Sequence, residues 1–139
     1  MDNDIYINVK DIACELVNSS SVEDTRSYWD FYHQLESVCS ENEGSENNHP
    51  FQWETLADFT DDNNAALNIY KKALELSKNM GLNEYSASIG LAMADRYNGL
   101  GDKEKAYNAA LEANKFAMML DDLELRKEIS EFLLNEFQG

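Results

Sequence analysis

Residues 99–120, "GLGDKEKAYNAALEANKFAMML", decide the fold. Gly101 and Asp102 form a turn, and Asp102 supplies an N-cap for the helix that follows. Along that helix Ala106, Ala110 and Ala113 recur at three- and four-residue spacing, a stripe of small side chains on one face. Where two helices cross at close range, only Ala or Gly lets the backbones approach, so the stripe predicts a tightly packed neighbour. Bulky apolar residues such as Tyr70, Leu74, Met93, Tyr97 and Phe116 are placed to fill the space beside such crossings.

Self-comparison finds a second copy of the pattern. "KKALELSKNMGLNEY" (71–85) lies over "LEANKFAMMLDDLEL" (111–125) at an offset of 40 residues. Ala66 then matches Ala106, Ala73 matches Ala113, Leu82 matches Asp122 and Tyr85 matches Leu125. A period of this size with two helices per unit marks a stacked helical repeat.

The pattern resembles the tetratricopeptide repeat. Met93-Ala94, Tyr97, Gly101-Asp102, Ala106 and Ala113 stand at that family's relative spacings in the second unit. Ala66, Tyr70 and Ala73 match its second helix in the first unit, within "YKKALEL". The chain departs from the family at three places. The first helix of the first unit, with Trp53, Leu56 and Ala57, is about one turn short. Met118 stands near the usual proline, and Ala110 replaces the usual aromatic. The resemblance covers about residues 50–135 and implies an all-α fold, a right-handed stack of about six to seven antiparallel helices. Residues 1–48 are then a helical pair packed on the stack and residues 49–139 the repeats with a terminal helix, together one continuous domain.

Elsewhere the chain also reads as helix. Ile5, Val9, Ile12, Ala13, Leu16 and Val17 give an amphipathic helix over 5–18, although "DIYINV" alternates like a short strand. Ser21 with Asp24 resembles a capping box opening a helix to about Ser40, with Tyr28, Trp29, Tyr32, Leu35, Val38 and Cys39 on its apolar face. "SENEGSENNH" is a solvated loop, and Pro50 suits the first turn of the next helix. Gly81 closes the helix before it, and Asn83 and Asp121 or Asp122 are placed to cap the helices after them.

The chain carries 11 Lys and Arg against 27 Asp and Glu in 139 residues, a net charge of −16. Such a surface repels nucleic acid and anionic lipid and attracts basic partners. No apolar run reaches the length of a membrane span, and the N-terminus lacks the pattern of a secretory signal. Cys14 and Cys39 read as two buried, reduced thiols, which together with the N-terminus predicts a cytoplasmic protein.

No catalytic constellation emerges. His33 and Cys39 are six residues apart, off a common helical face, and His49 sits in the polar loop; the reading is core cysteines and a surface histidine. No metal-ligand spacing, calcium loop or phosphate loop is present, so neither cofactor nor metal is expected, and the carboxylates of "DDNNAALN" read as helix caps.

In tetratricopeptide-like stacks the first helices of the units line a concave groove that often holds a partner. The resemblance places Glu54 and Asp58 there from the first unit, Leu91, Asp95 and Asn98 from the second, and Glu128, Glu131 and Asn135 from the terminal helix. Five of these eight are acidic and none is basic. This implies a non-catalytic module that binds a basic protein, foremost an immunity protein that neutralises a bacterial toxin domain. The alternatives are a secretion chaperone or adaptor holding a partner segment in the groove, and a scaffold module. Nothing in the sequence sets an oligomeric state.

Overall fold

The computed structural model describes residues 2–137, and among them it contains seven α-helices and no strand. They are α1 (Asn3–Ser21), α2 (Thr25–Asn42), α3 (Pro50–Asp58), α4 (Asn63–Asn79), α5 (Asn83–Gly99), α6 (Lys103–Ala117) and α7 (Leu123–Phe137). The chain is all-α, as expected, and each helix packs on the next. The helix starts keep a regular interval: α4 and α6 begin at Asn63 and Lys103, and α5 and α7 at Asn83 and Leu123.

Caps explain most boundaries. The Asp2 carboxylate accepts from the backbone N–H groups of Asp4 and Ile5, so "DIYINV" is the first turn of a helix and not a strand. Asp62, Asp102 and Asp122 accept in the same way from Ala65, Lys105 and Leu125, three residues on. Gly81 and Gly101 end α4 and α5 with φ of +68° and +78°, the left-handed region where a side chain is costly.

Two capping expectations are corrected. Ser21 is the last residue of α1, its hydroxyl bonded back to Val17 O, and Asp24 alone caps α2 by accepting from Ser27 N–H. Between them Glu23 turns the chain with φ 57°. Asn83 is the first residue of α5, and the N-cap is Leu82, which provides no side-chain bond. The chain here leaves the α4 turn directly, with Leu82 N–H bonded to Ser77 O.

The main core joins α1 to α5, with Val9, Leu16, Leu35, Trp53, Leu56, Tyr70 and Ile89 among its buried members. It thus seats the first two helices on the third. Burying an aliphatic side chain of this size stabilises by about 1.5–3 kcal/mol relative to leaving it in water. A smaller core of Ala87, Ala113, Ala117 and Ile129 joins α5, α6 and α7. The alanines of the opening stretch are buried completely: Ala106, Ala110, Ala113 and Ala117 are each 0% exposed.

Three other expectations change. Cys14 is exposed, on the outer side of α1, and only Cys39 is buried. Trp29 lies half exposed, because the α2 stripe that meets the core runs through Tyr32, Leu35 and Cys39 and passes beside it. His49 is buried and caps α3: its Nδ1 accepts from Phe51 N–H at 3.1 Å, while Gln52 Oε1 accepts from His49 N–H at 3.4 Å. Hence α3, at 9 residues, is about two turns shorter than the 17-residue α5.

Candidate functional site

A groove runs between α5 and α7. On α5, Ser88, Leu91, Ala92 and Asp95 fall at the three- and four-residue spacing that places them on one face. On α7, Glu128, Phe132 and Asn135 do the same, and together these residues enclose about 430 Å³. Toward the N-terminal end of α5 a second hollow of about 200 Å³ continues it, lined by Glu84, Ser88, Asp122, Glu124, Leu125 and Glu128. Ser88 and Glu128 border both.

Five carboxylates therefore face this groove, those of Glu84, Asp95, Asp122, Glu124 and Glu128, around an apolar strip of Leu91, Ala92 and Phe132. Among the described residues, no lysine or arginine lines either hollow. A cleft with one sign of charge and apolar walls concentrates field and draws in the opposite charge.

Four of the eight residues named from the sequence meet here: Leu91, Asp95, Glu128 and Asn135. Glu54 stands one layer behind, its Oε2 accepting from Ser88 Oγ at 2.8 Å. Burial pushes the Glu54 carboxyl up to about 7, and the neighbouring carboxylates Asp58 and Glu84 add to the rise, while the Ser88 bond opposes it. Asp58 lies at the end of α3 and accepts a hydrogen bond from the Tyr70 hydroxyl of α4. Its carboxyl is also raised, by burial first, with the Tyr70 bond and the Arg96 guanidinium acting the other way.

Arg96 holds this corner together. Its Nη1 donates to Asp61 O and to Asn63 Oδ1, both at 3.2 Å, and its Nη2 donates to Ala57 O at 3.3 Å. It adds donors to carbonyls where α3 ends, among them Ala57 O, which also accepts from Thr60 N–H, and so ties α5 to that end. Asn98 sits a turn beyond Asp95 and accepts from the Lys103 ammonium. Glu131 points to an exposed side of α7, where Lys127 Nζ is 3.8 Å away. Asp58, Asn98 and Glu131 thus stand outside the groove lining.

The sequence reading did not single out Ser88, Phe132, Glu84 or Glu124. Ser88 is one helical step from Leu91, and Phe132 one step from Glu128, so extending each named residue along its helix face would have reached them.

A separate hollow of about 470 Å³ lies at the α1–α2 turn, beside Glu23, Asp24, Tyr28, Trp29 and Asp61. Two of its groups already have structural work: Asp24 caps α2, and the Tyr28 hydroxyl donates to Phe59 O at 2.7 Å. In the groove between α5 and α7 Asp122 is likewise a cap, but Glu84, Asp95, Glu124 and Glu128 flank an apolar strip there, and it is the better candidate.

The nucleophile candidates are held in structural roles. Cys39 is buried, its Sγ donates to Gln52 O at 3.4 Å, and burial pushes its thiol up to about 12, far from a thiolate at neutral pH. His33 is exposed and 2.7 Å from Glu36 Oε1. Among the described residues no group of three or more His, Cys, Asp and Glu side chains is arranged to hold a metal ion. No helix among them is long and apolar enough to cross a membrane. No known family model, curated protein sequence or solved structure matches the chain.

Proposed function

We propose that this chain is a tetratricopeptide-like helical-repeat protein that binds another protein in the α5/α7 groove and performs no catalysis. The helix starts at intervals of forty residues, Asn63 to Lys103 and Asn83 to Leu123, support the repeat reading. The observation that carries the binding reading is the groove itself: five carboxylates around an apolar strip, within a chain of net charge −16. The partner segment that fits it is basic and carries an apolar side chain for Leu91, Ala92 and Phe132. Complementary charge gives such a pair fast encounter and discrimination against acidic surfaces.

The foremost role is that of an immunity protein, working in the cytoplasm and blocking a basic toxin domain by occupying its surface. A second reading, a secretion chaperone or adaptor, draws support from the apolar strip, which suits an extended segment.

Affinity capture of the tagged chain from its native cells, at low and raised salt, separates the two. One basic, near-stoichiometric partner released by salt supports the inhibitor, provided that co-expression of this chain abolishes the partner's toxicity. Several partners with apolar segments, retained at raised salt, support the chaperone. Salt-insensitive capture on a surface away from α5 and α7 overturns both.

A further inference from the structure

The bond between Glu54 and Ser88 puts a largely buried carboxyl directly beneath the floor of the groove. Ser88 borders both hollows, and directly behind its hydroxyl lies the largely buried Glu54 carboxyl, 2.8 Å away. A serine hydroxyl both donates and accepts, so the contact is compatible with either protonation state of Glu54.

The groups that act directly on this carboxyl, Ser88, Asp58 and Glu84, are neutral or of its own sign, and the Arg96 cation acts on Asp58. Asp58 lies one turn along α3, with Arg96 of α5 beside it, and Glu84 lies on α5. Tyr85 of α5 also faces Glu54; its phenol is raised by burial first and then by Glu54, Tyr6 of α1 and Glu84. The His49 ring packs edge-on against Tyr85 at 5.1 Å. Glu128 of α7 stands across the groove from Ser88.

Resting on the reading of the groove as a seat for a basic segment, we propose that its occupant ionises Glu54. The positive charge of a lysine or arginine side chain lodged at Ser88 favours the ionised form of the Glu54 carboxyl. The O–H bond breaks, the proton passes to solvent, and the carboxylate left behind accepts from Ser88 Oγ. With burial holding it well above the usual carboxylate range, the carboxyl behind Ser88 is poised for this exchange. Docking therefore releases a proton, and the groove holds basic segments more tightly as the pH rises through neutrality.

The test follows the Glu54 side-chain carbonyl carbon by NMR across a pH titration of the whole chain. It is run alone and with a saturating short peptide of alternating lysine and leucine. An opposite charge within about 4–6 Å lowers a carboxyl by about one unit or more, and a fall of that size in the Glu54 midpoint is expected. A one-unit fall makes peptide affinity rise about fivefold between about pH 6 and about pH 8, and Glu54→Gln flattens that rise. If the amides of Ser88, Leu91 and Glu128 shift with peptide while the Glu54 midpoint stays put, the proton linkage is overturned and the groove reading stands. An unchanged pH dependence in Glu54→Gln overturns the linkage equally. If those amides do not respond at any pH, the groove reading fails and the linkage with it.

Discussion

A Cβ placed on Gly90 of α5 stands 2.9 Å from Ala113 Cβ and 3.3 Å from Ala113 Cα on α6. The two helices touch almost backbone to backbone at this point. Gly90→Ala gains up to about 1 kcal/mol in helix propensity, but forcing a methyl into a closed crossing costs about 1–3 kcal/mol. The clash wins, because its partner is a short side chain fixed to the α6 backbone and has no room to rotate away. Expected is a net loss of about 1 kcal/mol and a melting temperature several degrees lower. An unchanged or raised melting temperature would mean that α5 and α6 separate freely.

Much of the architecture was legible because it depends on local chemistry. Aspartates at helix starts, glycines after helix ends and alanines at helical spacing are short-range signals, and Asp62, Asp102, Gly81, Gly101, Ala106 and Ala113 all carry them. Failures came where a residue had two local uses. Ser21 could cap the next helix or end its own, and its bond to Val17 O resolves this only in three dimensions. His49 looked like part of a solvated loop, since nothing near it in sequence shows that Tyr85 packs over it. The groove was half legible for a related reason. Leu91, Asp95, Glu128 and Asn135 are groove positions that the repeat resemblance implies, whereas the packing of Glu54 behind Ser88 is a contact across 34 residues.

His49 gives a first dependence on pH. Its Nδ1 accepts from Phe51 N–H, which the doubly protonated ring cannot do, and burial holds its pKa below the ordinary value. A depressed pKa contributes stability that is present above the unfolded value, about 6.5, and is lost as the pH falls through the folded one. Asn is an N-cap that does not titrate. The difference in urea-unfolding free energy between wild type and His49→Asn should therefore narrow on acidification from about pH 7 to about pH 5. A gap independent of pH would show that the ring is free to protonate in the folded state.

Glu54 acts with the opposite sign. Its folded pKa, about 7, is above the unfolded value, so the stability it contributes is complete below about pH 4.5 and is lost as the pH rises toward neutrality. Glu54→Gln keeps the shape and the bond to Ser88 while removing the charge. With allowance for the part of the group that reaches solvent, it should stabilise the chain by about 2 kcal/mol at about pH 8 and be near neutral at about pH 4.5. Equal effects at both pH values would place the carboxyl in an environment much wetter than the packing of α3 on α5 implies.

The groove's role in binding is tested by moving charge without moving packing. Asp95 and Glu128 are exposed side chains on its two walls, whereas Glu131 lies outside it on the same α7 helix. Surface changes of this kind alter stability by no more than about 0.5 kcal/mol. Asp95→Lys with Glu128→Lys should leave the melting curve in place, weaken binding of the lysine–leucine peptide at least tenfold, and flatten its dependence on salt. Glu131→Lys changes the net charge in the same direction but sits away from the seat, so its effect should be several-fold smaller. Equal losses from both variants would mean that overall charge and not the groove attracts the peptide. A loss confined to the Asp95 and Glu128 pair would locate the contact between α5 and α7.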